Sequence, residues 1–233
     1  MCIRDRVSAL ASISVVFPAW DEAENLPQLL EHALETLPRF AKKFEIIVVD
    51  DGSSDATPRI ATRYPRVRLL RHTRNRGYGA ALRTGLRAAR YEWVFFSDAD
   101  LQFDLGDLES LIAASQGVDV IAGYRVPRRD PWGRLVLAAL WGGLVRALFR
   151  LRVRDIDCAF KLFRRRVVEA IPIESVGAFV NTELLVRARA AGFKIRQVPV
   201  RHFPRPAGRA SGARPRVILR ALYELIALQR RLR

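Results

Sequence analysis

Several protein classes are excluded by what this chain has little of. Two cysteines, Cys2 and Cys158, in 233 residues cannot build a disulfide framework. Fourteen glycines and 12 prolines are ordinary counts, which rules out collagen-like and low-complexity character. Acidic residues are scarce: 24 Asp and Glu stand against 40 Lys and Arg, a formal net charge of +16. No window holds the roughly 20 apolar residues that a spanning helix needs. The longest uncharged apolar stretch, Leu135 to Val145, is closed by Arg134 and Arg146 and has the length of a core helix or an interfacial segment. The first six residues carry three charges and neither an apolar run nor a cleavage signature, so they read as a leading tail outside the fold. Without an export signal, a cytoplasmic, soluble or peripheral protein is expected. What is present is a half-hydrophobic composition with four tryptophans, enough apolar surface to offset chain entropy. The expectation is therefore a folded, strongly basic protein with anionic partners: nucleic acid, phosphorylated ligands or an acidic membrane surface.

The first half alternates between two hydrophobic periods. Residues 13–17, 45–49, 67–70, 91–96 and 118–122 are short β-branched or aromatic runs that read as strands. Between them, Leu26, Leu29, Leu30, Ala33, Leu34 and Leu37 recur at helical spacing, Asp55 can cap a second helix, and residues 80–89 and 107–114 form two more. Strands apolar on both faces and alternating with helices predict a mostly parallel α/β sheet covered on each side. In the second half, helices are expected at 132–151, 182–191 and 216–233, with strands at 160–163 and 195–200. The last helix places Arg216, Arg220, Glu224 and Arg231 on one side, opposite a broad apolar side.

Ligands of open α/β sheets sit outside the carboxyl ends of the strands. Each of the first five strands ends there in a polar cluster: Trp20-Asp21-Glu22, Asp50-Asp51, Asn75-Arg76-Gly77, Asp98-Ala99-Asp100 and Tyr124-Arg125. Read as an extended segment, Asp98, Asp100 and Gln102 share one face and can point hard oxygens at a single Mg²⁺ or Mn²⁺ ion; the alternative is a solvated acidic turn. A second pair, Asp155 and Asp157, has the same spacing. Asp50 and Asp51 exceed what helix capping requires, and a carboxylate there can accept a nucleobase imino proton or a ribose hydroxyl. The two glycines of Asn75-Arg76-Gly77-Tyr78-Gly79 permit close backbone approach, as in a phosphate loop, although the segment matches neither the Walker nor the dinucleotide pattern.

Five segments in order carry a resemblance: residues 15–26 (VVFPAWDEAENL), 47–55 (IVVDDGSSD), 75–79 (NRGYG), 97–102 (SDADLQ) and 158–164 (CAFKLFR). Together they resemble a family 2 glycosyltransferase of the polyprenyl-phosphate type, similar to dolichol-phosphate mannose synthase and its bacterial relatives, over about residues 10–212. The resemblance implies a GT-A (Rossmann-like) fold and an inverting transfer from a nucleotide sugar, of GDP-mannose or UDP-glucose type, to a polyprenyl phosphate. Carried over by position, it implies that Pro18, Trp20, Glu22, Val48 and Asp50 hold the nucleoside. Asn75, Gly77 and Ala99 join the donor site, and Asp98, Asp100 and Gln102 hold the divalent metal. Arg125, Arg134 and Arg205 meet phosphates of donor or acceptor, and Asp155 orients the acceptor, acts as a weak base, or simply pairs with Arg152 or Arg154. Trp20 and Asp21 stand where the family has a smaller aromatic and Asn, and Ala159 where it has Gly.

The divisions expected are a leading tail 1–10, a glycosyltransferase domain 11–212 and a basic amphipathic helix 213–233. A polyprenyl acceptor lies in the bilayer, and Arg128, Arg129 and Arg134 beside the apolar helix, with the basic last helix, suit an anionic membrane surface. An enzyme with a soluble acceptor is the alternative. Nucleic-acid binding rests on net charge alone, without a recognition helix, zinc spacing or ribonucleoprotein aromatics, so no nucleic-acid partner is expected. Three histidines, His32, His72 and His202, offer little acid–base chemistry: the first two read as incidental positions, and His202 as a neighbour of Arg205. Glu183 reads as a charge near a helix start.

Overall fold

A computed structural model describes residues 9–127, 132–207 and 215–232, and for Arg134 and residues 215–218 it describes the backbone alone. The leading residues 1–6, Arg128 and Arg129, and the side chains of Arg134 and Arg216 therefore lie outside what is described.

Seven strands form one sheet: β1 (Leu10–Ala19), β2 (Ala41–Asp50), β3 (Val67–Arg71), β4 (Trp93–Ser97), β5 (Val120–Arg125), β6 (Phe160–Arg164) and β7 (Ile195–Val200), in the order β3-β2-β1-β4-β6-β5-β7. All pairings are parallel except those of β6, which runs antiparallel to both β4 and β5. The central strands earn their position by composition. Ile13, Val15, Val16 and Phe17 on β1, Ile46 to Val49 on β2, and Val94 to Phe96 on β4 are completely enclosed, as runs apolar on both faces must be. Val16 aligns with Ile47 on one side and Phe96 on the other. Across β6, Phe95 meets Phe160 edge-on at 4.7 Å and Phe96 stacks on Phe163 at 6.0 Å. Each such buried aromatic contributes about 1.5–3 kcal/mol of burial.

The helices are α1 (Leu26–Phe40), α2 (Thr57–Ala61), α3 (Tyr78–Ala88), α4 (Leu108–Ala113), α5 (Trp132–Phe149), α6 (Arg165–Ala170), α7 (Val180–Ala190) and α8 (Pro215–Arg231). α6 is the one described helix that hydrophobic periodicity does not predict, being a single turn and a half after a strand. Right-handed crossovers fix the layers. The chain moves from β1 to β2 to β3 in one direction, then crosses back to β4, so α1 and α2 cover one face and α3 the other. Gly85 lets α3 approach closely: a Cβ there would stand 2.3 Å from Val16 Cγ1 and 2.9 Å from Val49 Cγ2. The sheet order reverses between β1 and β4, and at that switch point a crevice opens beyond the strand ends.

α8 is anchored rather than free. Leu225 and Leu228 are buried, Glu224 Oε1 accepts the Val176 N–H at 3.3 Å, and Arg231 pairs with Glu174. Part of its apolar side is thus core, while Leu219, Leu222, Tyr223 and Ile226 remain exposed. α5 also shows two characters. Val145 is buried and Trp141 meets Phe179 edge-on at 6.0 Å, whereas Trp132, Val136, Leu137, Leu140 and Leu144 are exposed. Among the described residues no helix is long and apolar enough to cross a membrane.

Candidate active site

The loops after β1, β2 and β3 are sewn together by their own side chains. Asp21, at φ 52, receives Ser54 N–H at 2.8 Å, and its own N–H reaches Ser53 Oγ at 2.9 Å. Glu22 N–H donates to Thr57 Oγ1 at 2.9 Å, and Asp55, one residue before the N-cap Ala56 of α2, takes Thr57 N–H at 2.8 Å and Ala23 N–H at 3.0 Å. The paired aspartates divide their work. Asp50 is enclosed, accepts Ser53 N–H at 3.1 Å and pairs with Arg71 at 3.0 Å. Asp51 accepts Arg76 N–H at 2.9 Å and Gly77 N–H at 2.8 Å, and lies 2.6 Å from His72 Nδ1. His72, expected to be incidental, is therefore part of the frame that shapes the Asn75–Gly77 turn; its Nε2 lies 3.0 Å from Thr84 Oγ1. Gly77, at φ 98, has no room for a Cβ, which would meet Val176 O at 2.3 Å.

The acidic pair sits at the switch point. Asp98 follows the last residue of β4, and its Oδ1 is sealed from solvent without a hydrogen bond of ordinary geometry among the described residues, although the buried Tyr78 hydroxyl lies close enough to favour its charged form. Burial, reinforced by the charge of Asp100, pushes the Asp98 carboxyl up from 3.8 to about 7. Asp100 is buried, receives Gln102 N–H at 3.2 Å and lies 3.6 Å from Arg205 Nη1. The segment is not extended as the spacing implied. Leu101 adopts φ 59, so the chain turns between Asp100 and Gln102. Gln102 donates its side-chain N–H to Phe203 O at 3.2 Å, which leaves Oε1 as the atom for a ligand. Among the described residues no third His, Cys, Asp or Glu joins the pair, so a hard cation there would complete its shell from Gln102 and from substrate oxygens. An orphaned buried carboxylate oxygen beside a second carboxylate fits such an ion.

Arg205 spans the mouth of this site. Its Nη2 is 2.5 Å from Glu22 Oε1, and its Nε donates to Ala207 O at 2.6 Å. Glu22 also accepts Asn25 Nδ2 at 2.6 Å, and burial raises its carboxyl despite both partners. On the other flank Arg125, the last residue of β5, is gripped by Asp155: Nε to Oδ2 at 2.6 Å and Nη2 to Oδ1 at 2.8 Å. Of the alternatives for Asp155, the pairing with Arg152 or Arg154 is replaced by this one with Arg125, and Arg154 lies over the Tyr124 ring at 4.9 Å.

The remaining expectations land as follows. Trp20 is 45 % exposed at the end of β1, and Asn75 is exposed in the loop after β3. Pro18 and Val48 are buried strand residues: Val48 is enclosed between Phe17 and Leu69, so it forms the floor rather than a surface a nucleoside can touch. Ala99 is buried between the two aspartates. His202 is buried and packs on Phe103 at 5.6 Å. Glu183, read as a cap-region charge, is buried; it pairs with Arg187 at 2.8 Å and accepts Ser175 N–H at 2.8 Å, holding the loop on which Gly77 and Gly79 rest. Cys158 is buried, and burial pushes its thiol up to about 12, so it is no nucleophile. The resemblance assigns Lys161 no role; its signal in the sequence is a lysine set inside Phe160, Leu162 and Phe163, a charge where a strand otherwise has core.

Comparison with known proteins gives concordant matches. The family model "Glycosyl transferase family 2" matches residues 14–171. Glycosyltransferase AglD of Haloferax volcanii is 37% identical over 207 residues, 83% of this chain and 33% of that protein. Undecaprenyl-phosphate 4-deoxy-4-formamido-L-arabinose transferase of Edwardsiella ictaluri is 29% identical over 221 residues, 92% of this chain and 66% of that protein. This chain thus spans only a third to two-thirds of these relatives. Among solved structures, mannosyl-3-phosphoglycerate synthase from Rubrobacter xylanophilus superposes with a TM-score of 0.73 at 20% identity, covering 96% of this chain and 74% of that one. Glucosyl-3-phosphoglycerate synthase from Mycobacterium tuberculosis, in complex with Mn²⁺, UDP and glucosyl-3-phosphoglycerate, superposes with a TM-score of 0.67 at 22% identity, covering 95% of this chain and 77% of that one.

Proposed function

Because the chain belongs to glycosyl transferase family 2 and has its GT-A fold, we propose that it transfers a hexose from a nucleotide sugar to a polyprenyl phosphate, with inversion at the sugar C1. The observation that carries the reading is the orphaned, buried Asp98 oxygen beside Asp100 at the switch point of the sheet. The two carboxylates, with Gln102 Oε1, would hold Mg²⁺ or Mn²⁺. Such an ion supplies charge that stabilises a departing diphosphate.

The chain's own residues do the rest. Trp20 offers an open aromatic face at the rim for a base, and the Asn75–Gly77 turn, fixed by Asp51, brings backbone close to the donor. An acceptor phosphate oxygen attacks C1 as the bond from C1 to the diphosphate oxygen breaks, releasing a nucleoside diphosphate. That phosphate is already ionised at neutral pH and needs no strong base. Asp155 has both oxygens on Arg125, so its part is to aim the guanidinium at a phosphate rather than to take a proton. Arg205 pairs with Glu22 and lies beside Asp100, at the mouth of the site where its guanidinium would meet a donor or acceptor phosphate. Arg134, whose backbone lies in the first turn of α5, is carried as a further phosphate partner by the resemblance alone.

The exposed apolar residues of α5 and α8, set among arginines, support peripheral contact with an anionic membrane on its cytoplasmic face, where a polyprenyl phosphate would be met. Incubation of the protein with a panel of labelled nucleotide sugars, a polyprenyl phosphate and Mn²⁺ or Mg²⁺ tests the reading. Label should enter the organic phase with one donor, and Asp100→Ala should abolish metal-dependent transfer while leaving the fold intact. Label appearing only in aqueous products would overturn the lipid acceptor, and no transfer from any donor would overturn the enzyme reading.

A further inference from the structure

Lys161 is the one lysine in the core, and it is 0 % exposed. It sits on the reversed strand β6, aligned with Phe96 of β4 and Ala122 of β5, with its ammonium 5.6 Å from the centre of the Phe96 ring. An apolar side chain would fill this place at no electrostatic cost, whereas a buried ion costs several kcal/mol unless its hydrogen bonds are met. They are met by oxygens that can only accept. Lys161 Nζ donates to Ile156 O at 3.2 Å, to Cys158 O and to Asn181 Oδ1 at 2.9 Å. Three acceptors require three N–H groups, and only the protonated ammonium has three. Burial lowers the Lys161 pKa, and the nearby charges of Asp155, Asp157 and Asp98 work against that shift.

Two of the three acceptors belong to the short segment between Asp155 and β6, and the third is on α7. The ammonium therefore gathers the chain directly after Asp155 and ties it to a helix beneath the site. Asp155 in turn grips the Arg125 backbone N–H at 3.3 Å and its guanidinium at two points. We propose that Lys161 is a positioning residue: its buried ammonium fixes the 156–158 segment so that Asp155 can hold Arg125 at the phosphate-facing rim. It touches no substrate, and it acts through Asp155. The kinetic part of this inference rests on the glycosyl-transfer reading, while the structural part stands without it.

The test compares the 233-residue chain with Lys161→Met, which keeps volume and removes the charge. Hydrogen exchange should speed at least tenfold in residues 152–158 while β1, β2 and β4 keep their protection. In the transfer assay, KM for the phosphate-bearing substrate that Arg125 serves should rise about tenfold; a defect in folding alone would lower only the active fraction and hence kcat. The same substitution in an Asp155→Asn background should cost less than twofold further, since both changes release the same arm. Unchanged exchange in 152–158, or a full tenfold penalty repeated on top of Asp155→Asn, would overturn the proposal. Should Lys161→Met fail to fold, Asn181→Ala, which removes one of three anchors, must show the same pattern at smaller size, and unaltered exchange in that variant would count against it. A wild-type protein that transfers no sugar would defeat the reaction, and the exchange comparison would still decide the role of Lys161.

Discussion

Asp98 is a carboxyl group held where its charged form is disfavoured. Its folded value of about 7 stands above the ordinary 3.8, chiefly through burial and then through Asp100. A group raised in this way contributes stability that is complete below the unfolded value and is lost as pH rises through the folded one. In chelator, the wild-type protein should therefore lose stability relative to Asp98→Asn between about pH 4 and pH 7. Urea denaturation of both proteins across that range checks it, and parallel curves would contradict the assignment. Added Mn²⁺ should restore stability in the wild type more strongly as the pH rises, because the ion replaces a proton. Gly52 is constrained by backbone rather than by charge. At φ +72 its Cβ position lies 2.4 Å from the carbonyl carbon of Arg74, where the loops after β2 and β3 touch. Gly52→Ala should cost about 2 kcal/mol or more, combining an unfavourable dihedral with a clash against backbone. The midpoint of urea unfolding reads it directly.

The elements most legible in the chain were those whose composition has one physical interpretation. β1, β2 and β4 are apolar on both faces, and only a covered parallel sheet accommodates such runs. Because they are parallel, their polar ends meet at one rim, which is why Asp50, Asp98 and Trp20 could be grouped from spacing alone. What spacing did not carry was direction and bonding. Nothing in the run Phe160 to Arg164 says that β6 is reversed, since strand composition is the same in either sense. Likewise, the partners of Asp51, Asp155 and Lys161 depend on loops packed across 25, 30 and 20 residues of sequence. α3 offers a test of how tightly its element is fitted. Gly85→Ala places a methyl against Val16 and Val49, and such overpacking should cost about 1–3 kcal/mol. A variant as stable as wild type would mean that α3 can slide outward freely.

Over the whole molecule, the surplus of basic residues divides between the rim and the outer surface. Arg125 and Arg205 are committed to carboxylates in the site, while the exposed apolar residues of α5 lie between arginines. Trp132 is 81 % exposed and Leu140 67 %, so replacing both by serine should leave thermal stability within a degree or two while reducing sedimentation with anionic vesicles several-fold. Undiminished sedimentation would move the contact elsewhere, for example to Tyr223 and Ile226 on α8. The reversal of β6 has a further result for how such a protein can diversify. Six strands of the sheet offer the rim whatever follows them, but β6 offers what precedes it, so the entire stretch from the end of β5 to Ala159 departs from and returns to the same edge. That stretch is a cassette with both ends at the crevice: it can be lengthened, shortened or exchanged for another without disturbing the β1–β4 half, whose loops frame the acidic pair. The two sides of the crevice are thereby built from separate pieces of one chain.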